Sequence, residues 1–256
     1  MKLAVIIPAY NEEATIADTL RRLAHSPDRD FDVVICDNAS TDGTRRAIDA
    51  VIAEHELGWT VITETQKGTG AAADSAAREA IRRGATHIAR TDADCLPAHE
   101  WIQSIKRAFS TVGARGSDTP HFVAGVSYPR TDDTGISPGR ARVLTVVNEV
   151  AIWFGRIRPS NFGSRYRGPY MMTSGNNLAI TAELYAAVGG FTRTAIEDVH
   201  EDRELIQAVR RATHRYRLHR DVVVYASARR IEQWGIVRSL LWYAGHYFRP
   251  ELVDLR

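Results

Sequence analysis

The chain has 256 residues, of which 44% are hydrophobic and 25% charged, and a formal net charge of +2; that composition is globular and excludes a disordered tract. Lys and Arg number 33 against 31 Asp and Glu, so bulk charge gives no footprint for nucleic acid. Two cysteines, Cys36 and Cys95, are too few for a disulfide framework and lack the C-x-x-C spacing of a zinc site, which favours a reduced, cytoplasmic setting. The first eight residues lack a signal-peptide core. No apolar run reaches the roughly 18 residues that a membrane-spanning helix needs.

Residues 3–8 are short, apolar and β-branched, and close on Pro8, which reads as a buried strand. Residues 11–23 place Ile16, Leu20 and Leu23 on one helical face, with Asn11 or Thr15 near the cap. A second strand over 31–36, a helix over 41–55 opened by Ser40-Thr41-Asp42-Gly43, and a third strand over 60–64 follow. Next come an Ala-rich helix over 70–83 and a fourth strand over 87–91 that runs into Asp92-Ala93-Asp94. Strands apolar on both sides, alternating with helices, predict an α/β fold with a mostly parallel sheet covered on both faces.

The second half is less regular. Residues 101–109 read as a helix, 122–128 as a strand and 131–140 as a polar loop. Residues 142–157 carry Val143, Val146, Val147, Val150, Phe154 and Ile157 at helical spacing, which predicts an amphipathic helix whose apolar stripe faces the core. A basic loop over 159–169, a short helix over 181–188, a helix over 201–211, a strand over 221–225 and an aromatic helix over 232–247 complete the chain.

In sheets of this kind ligands bind beyond the carboxyl ends of the strands. The residues there are Ala9-Tyr10-Asn11, Asp37-Asn38 and Asp92-Ala93-Asp94, polar or acidic where the preceding strand is apolar. Asp92 and Asp94 suit a hard divalent cation that also binds phosphate; the competing reading is a turn or helix cap. Asp37 and Asn38 can bond a nucleobase or ribose, or open an Asx-turn. Glu201 and Asp202 supply a candidate general base, or complement the dipole of the helix they begin. Arg229 and Arg230 follow a strand and suit phosphate, in competition with a solvated basic face. His219 and His246 are candidate metal ligands, against the plainer reading of a structural histidine. Gly68-Thr69-Gly70-Ala71-Ala72-Ala73 matches a dinucleotide-binding pattern but does not follow the first strand. It reads instead as a tight approach to the Ala-rich helix, with Lys67 available to a phosphate.

Taken in order, Pro8-Ala9-Tyr10-Asn11-Glu12-Glu13, Asp37-Asn38-Ala39-Ser40-Thr41-Asp42-Gly43-Thr44, Lys67-Gly68-Thr69-Gly70, Asp92-Ala93-Asp94, Ser174-Gly175-Asn176-Asn177, Gly190-Phe191 and Glu201-Asp202-Arg203-Glu204-Leu205 resemble the family 2 glycosyltransferases. The resemblance implies a single GT-A domain over 1–256, with a nucleotide-sugar-binding half over 1–112 and an acceptor-binding half with a C-terminal tail over 113–256. It implies inverting transfer from a nucleotide diphosphate sugar, UDP-linked first among the choices, to an acceptor that is a small molecule, a glycan or a lipid-linked sugar. Manganese or magnesium is the implied cofactor. Pro8 to Glu12, above all Tyr10 with Ala9 and Asn11, would line the nucleobase pocket, and Asp37 or Asn38 would bond the base. Lys67 and Gly70 would flank the donor. Asp94, with Asp92 directly or through water, would hold the metal beside Ala93. Asp202 resembles the catalytic base, Glu201 an acceptor contact or a group behind it. Gly175 and Asn176 would sit near the donor sugar, and Arg229 and Arg230 would steady the diphosphate. Asp37-Asn38-Ala39 stands where the family often has two acids and a glycine.

Two other classes compete. A sugar-phosphate nucleotidyltransferase would carry a Gly-rich basic loop after the first strand, where this chain has Ala9-Tyr10-Asn11-Glu12. A non-catalytic sugar-nucleotide binder would lack the metal or base acids, yet Asp94 and Asp202 are both present. The stretch 142–157, with Trp153 and Phe154, and the aromatic end Trp242, Tyr243, His246, Tyr247 and Phe248 offer peripheral contact with the inner face of a membrane, in competition with burial in the core.

Overall fold

The computed structural model describes residues 1–110, 119–133, 135–157, 161, 163–171, 174–193, 201–229, 231–235 and 238, with the backbone alone for 138, 148 and 151–157. The elements in order are β1 (Leu3–Ala9), α1 (Ile16–Ala24), β2 (Asp32–Asp37), α2 (Thr44–Glu54), β3 (Thr60–Thr63), α3 (Thr69–Arg82), β4 (His87–Arg90), β5 (Cys95–Pro97), α4 (Trp101–Ser110), β6 (Phe122–Pro129), α5 (Pro138–Ile157), β7 (Leu178–Thr181), α6 (Ala182–Ala187), α7 (Glu201–Ala212) and β8 (Tyr216–Ala226).

All seven residues of β1 are buried. The two-residue period of a strand explains the distribution: Leu3, Val5, Ile7 and Ala9 join one core, while Ala4 and Ile6 join the other. Ile16, Leu20 and Leu23 of α1 cover the first face. Ala72, Ala73, Ala76, Ala77 and Ala80 of α3 cover the second, where small side chains let the helix lie close to the sheet. Pro8 costs no ladder bond to β4, because the pairing of β1 with β4 ends at Ile6 opposite Arg90.

Among the described residues eight strands form one sheet in the order β3-β2-β1-β4-β7-β6-β8-β5. β1, β2, β3 and β4 run parallel, as the alternation predicts. Beyond β4 the sheet is mixed: β7 runs antiparallel to β4 and β6, β8 runs parallel to β6, and β5 runs antiparallel to β8. Six strands therefore point their carboxyl ends at one rim, and β5 and β7 begin there. β5 and β7 go beyond the sequence reading because each is a short segment (three and four residues) without a period of its own. α5 begins at Pro138, inside the expected loop, since proline is tolerated in a first helical turn. Its valine stripe is a correction. Val143, Val146 and Val150 are 52%, 61% and 58% exposed, while Ala141 and Leu144 face the core beside Ile136 and Ala228. Of the terminal helix expected over 232–247, residues 232–235 and 238 are described, and they are helical.

The turn before β7 is held by Asn177, which is fully buried. Its Oδ1 accepts from the Trp101 indole at 2.9 Å, and its Nδ2 donates to the carbonyls of Val126 at 2.7 Å and Val222 at 3.0 Å. One amide thus ties α4, β6 and β8 to the segment that carries Gly175 and Asn176. Asn177→Leu keeps the volume but strands an indole N–H and two carbonyls in the core. The variant should lose about 2–4 kcal/mol of unfolding free energy in urea titrations, and a change below about 0.5 kcal/mol would contradict the role.

Candidate active site

The rim at the carboxyl end of β1 and β2 is built by turns. Asn11 and Ala39 adopt left-handed φ of 51° and 55°. Asp37 accepts from the Ser40 N–H, three residues on, at 3.0 Å, so its side chain closes the loop that leads toward α2. Asn11 Oδ1 accepts from the Thr41 N–H at 2.8 Å, which locks the two loops together. Asn38 Nδ2 donates to the carbonyls of Glu64 and Gln66, both at 2.8 Å, and its Oδ1 accepts from Gly68 N–H at 2.9 Å. Asn38 therefore shapes the loop after β3 that carries Lys67. The Lys67 ammonium lies 5.2 Å from the centroid of the Tyr10 ring and 3.3 Å from its hydroxyl, placing a cation beside an aromatic wall.

The acids after β4 face two guanidinium groups. Arg90 Nε donates to Asp92 Oδ1 at 3.0 Å. Arg229 Nη2 donates to Asp94 Oδ2 at 2.7 Å and to Glu12 Oε1 at 2.6 Å. Arg229 thus rests on the acids themselves, the same point to which the Pro8–Glu12 strand end leads. Arg130, at the end of β6, holds the Asp94 carbonyl at 3.3 Å and Asp132 at 3.0 Å.

The third group comes from α7 and the turn before β7. Arg90 Nη2 donates to Glu201 Oε1 at 3.0 Å. Asp202 Oδ2 accepts from the Gly175 N–H at 2.9 Å. A Cβ on Gly175 would lie 3.2 Å from Arg90 Cζ, so glycine lets the turn lie against the guanidinium. Gly70 plays a similar part on α3, where a Cβ would collide with the Thr192 carbonyl and crowd Glu201. Asn176 Oδ1 accepts from Ser127 at 2.8 Å.

Burial raises the Asp92 carboxyl above its ordinary value, with the Arg90 charge opposing the rise. Burial likewise raises Asp202, against attraction from Arg90 and the N–H groups of Gly175 and Arg203. Burial disfavours the Arg90 charge, yet Asp92, Glu201 and Asp202 outweigh it and hold the guanidinium above the usual range. The donor set fits a hard cation. Asp92 and Asp94 are carboxylates whose side chains stay 31% and 20% exposed. Among the described residues no third His, Cys, Asp or Glu completes a protein-only cage. That pattern suits magnesium or manganese, which fill their shells with substrate phosphate and water.

The structure brings Tyr10, Asn11, Glu12, Asp37, Asn38 and Lys67 to the same rim as Asp92, Ala93, Asp94, Gly175, Asn176, Glu201, Asp202 and Arg229, with Gly70 behind Glu201. His219 stays apart. It lies on β8, 3.7 Å from Asp221, next to Leu218, whose partner Ala124 is five residues short of the Pro129 that faces Ala226, roughly 16 Å along β6 from where β8 meets Cys95. Arg230 and His246 lie outside the described residues. The sequence reading missed Arg90, Arg130 and Arg193. Arg90 had a signal, a charge inside an apolar strand two residues before Asp92.

Arg193, the last described residue before α7, is tied to the loop after β3 and to α3. It donates to Glu64 at 2.7 Å, Gln66 at 3.0 Å, Asp74 at 3.1 Å and Ser75 at 3.0 Å, and its carbonyl accepts from Gln66 at 2.7 Å. Bonds from Ser75, the Gln66 N–H and Arg193 hold the Glu64 carboxyl down to about 2.

The sequence profile of Glycosyl transferase family 2 matches residues 4–138. A validoxylamine A glucosyltransferase of Streptomyces hygroscopicus subsp. limoneus is 27% identical over 259 residues, covering 91% of this chain and 51% of that relative; the chain spans about half the length of that enzyme. Among solved structures, the mannosyltransferase PcManGT from Pyrobaculum calidifontis, in complex with GDP-Man and Mn2+, superposes with a TM-score of 0.63 at 22% identity, covering 99% of this chain and 66% of that one. S. aureus TarS 1–349 in complex with UDP-GlcNAc gives a TM-score of 0.63 at 17% identity, covering 90% and 59%. At these identities the structures establish the fold, an α/β domain of the GT-A type.

Because the Glu64 carboxyl sits at about 2 when folded against an ordinary 4.5, its contribution is full above 4.5 and is lost as pH falls through about 2. Glu64→Gln should be less stable than the parent at neutral pH by on the order of 1–3 kcal/mol. The two urea curves should converge as pH drops from 4.5 toward 2; a difference independent of pH would refute these bonds to Glu64.

Proposed function

The chain belongs to glycosyl transferase family 2, and on that footing we propose that it transfers a sugar, with inversion, from a nucleotide diphosphate donor to an acceptor hydroxyl. The observation that carries the reading is the meeting of Asp92, Asp94, Glu201 and Asp202 at one rim, the first and third bonded to the same guanidinium. These residues come from opposite halves of the chain, and neither a turn nor a helix cap requires them to meet.

Tyr10 and Asn11 form the wall for the base, with Asp37 at its edge. A carboxylate there accepts from the ring N–H that uracil, thymine and guanine share, and UDP is the first choice. Lys67 lies beside that wall and suits the diphosphate. Asp94 and Asp92 would hold magnesium or manganese, which when bound neutralises the charge on the departing nucleotide. Arg229, anchored on Glu12 and Asp94, adds positive charge at the same place. Asp202, aimed by the Gly175 N–H, takes the proton of the acceptor hydroxyl. The acceptor oxygen forms the new bond to the anomeric carbon as the bond to the diphosphate breaks on the opposite side. A carboxyl raised by burial is a stronger base than a solvated one. The acceptor is a small molecule, a glycan or a lipid-linked sugar. No described helix is long and apolar enough to cross a membrane; the exposed Val143, Val146 and Val150 of α5 support peripheral contact with a lipid surface.

Asp202→Asn should keep UDP affinity in manganese buffer within about threefold and lower transfer or donor hydrolysis by about 10²–10⁴. Unchanged turnover would remove Asp202 from the chemistry. Asp94→Ala should weaken UDP binding at least about tenfold with manganese present and far less in EDTA, read by calorimetry. Equal affinity in both buffers would remove the metal site.

A further inference from the structure

We propose that Arg90 is the positioning residue that sets the spacing between the donor-side acids and the base-bearing helix. This rests on the functional reading above. Arg90 is 1% exposed, so it has no surface to offer a substrate and acts through other side chains.

One edge of its fork serves two carboxylates: Nε reaches Asp92 at the end of β4, and Nη2 reaches Glu201 at the start of α7, each at 3.0 Å. The two acids are 109 positions apart in sequence, and the planar guanidinium fixes their separation as no flexible pair of side chains can. The guanidinium is itself confined. Its Cζ lies 5.0 Å from the centroid of the Phe191 ring, and a Cβ on Gly175 would come within 3.2 Å of Cζ and Nη2. The Gly175 turn that packs against Arg90 also donates its N–H to Asp202. Arg90 therefore fixes Asp92 and Glu201 directly and the base through the turn lying against it. Register makes this possible, since Arg90 pairs with Leu178 across β4 and β7, leaving Gly175 three residues beyond it on the rim side.

A lysine retains one positive charge but cannot bond two carboxylates along a planar edge. Arg90→Lys should lower kcat at least about 100-fold and, because Asp92 is one of the two acids it fixes, should weaken the calorimetric Kd of UDP with manganese by only about three- to tenfold. Glu201→Gln should lower kcat to a similar extent with the UDP Kd within about threefold, and the double variant should lose no more than about threefold in kcat beyond the worse single variant. Losses that multiply, or a kcat close to the parent, would overturn the proposal, as would a UDP affinity that falls in step with kcat. An activity-independent arm separates this from the functional reading. Amide exchange at residues 174–177 and 201–205 should quicken at least about tenfold in both single variants, with β1 to β3 unaltered. Unchanged exchange there refutes Arg90 as the link even for a protein with no identified donor. Quickened exchange in a protein whose parent turns over no sugar nucleotide refutes the functional reading instead and leaves the link standing. Should Arg90→Lys fail to fold, Glu201→Gln decides on the same readouts.

Discussion

Carboxylates that share a half-buried rim repel one another, and that repulsion is the constraint around which this molecule is arranged. Glu12, Asp92, Asp94, Glu201 and Asp202 arrive from separate parts of the chain. A pair of like charges about 5 Å apart costs about 3 kcal/mol at the effective dielectric of a protein margin. Two guanidinium groups offset this at different depths. Arg90 lies under the rim with Asp92 and Glu201, and Arg229 lies above it with Glu12 and Asp94. The deeper one is walled in by Phe191 and Gly175. The shallower one keeps 24% of its side chain exposed. A fixed charge below and an accessible one above suit a site that must admit an anionic ligand without losing its shape.

Strand direction explains why these groups meet. β1, β2 and β4 deliver Tyr10, Asp37 and Asp92 at their carboxyl ends. β7 runs the other way, so the residues before it, Gly175 among them, reach the same side. β8 pairs with β5 at Ala226 opposite Cys95, which brings the chain to Arg229 directly above Asp94. The mixed half of the sheet is thus not a departure from the logic of the parallel half. Reversing β7 is what lets the second half of the chain contribute Gly175 and Asn176 to a rim laid out by the first half.

Arg229 was expected on a diphosphate and is found on two carboxylates. The two positions share one electrostatic logic, because a guanidinium fork matches carboxylate and phosphate oxygens alike. Glu12 is 5% exposed, and its hydrogen bonds with Thr15 and Thr44 hold it in place, so it is a built partner for Arg229 and not a chance surface contact.

The parallel half of the fold was legible because each of its elements carries its own period: β1 is apolar throughout, α3 is a run of alanines, and the acids fall where those runs stop. Asp37 and Asp94 could be picked out as polar residues at the ends of apolar segments, whereas Asp202 stood only as an acid at the start of a helix, its role coming from the family resemblance. What the sequence concealed depends on partners far away. The bond from the Ser40 N–H to Asp37 is local, but the bonds of Asn38 to Glu64, Gln66 and Gly68 cross 26 to 30 positions, and no local pattern announces them. The valines of α5 show the opposite failure. Their spacing is that of a buried stripe, yet Ala141 and Leu144 take the inward face, because periodicity tells which residues share a face and not which face is covered. Arg90 lies between these cases. A lone arginine closing an apolar strand, two residues from Asp92, must find anions or destabilise the core, so its presence already required carboxylates from elsewhere in the chain; the fold was needed to show that one of them is Glu201.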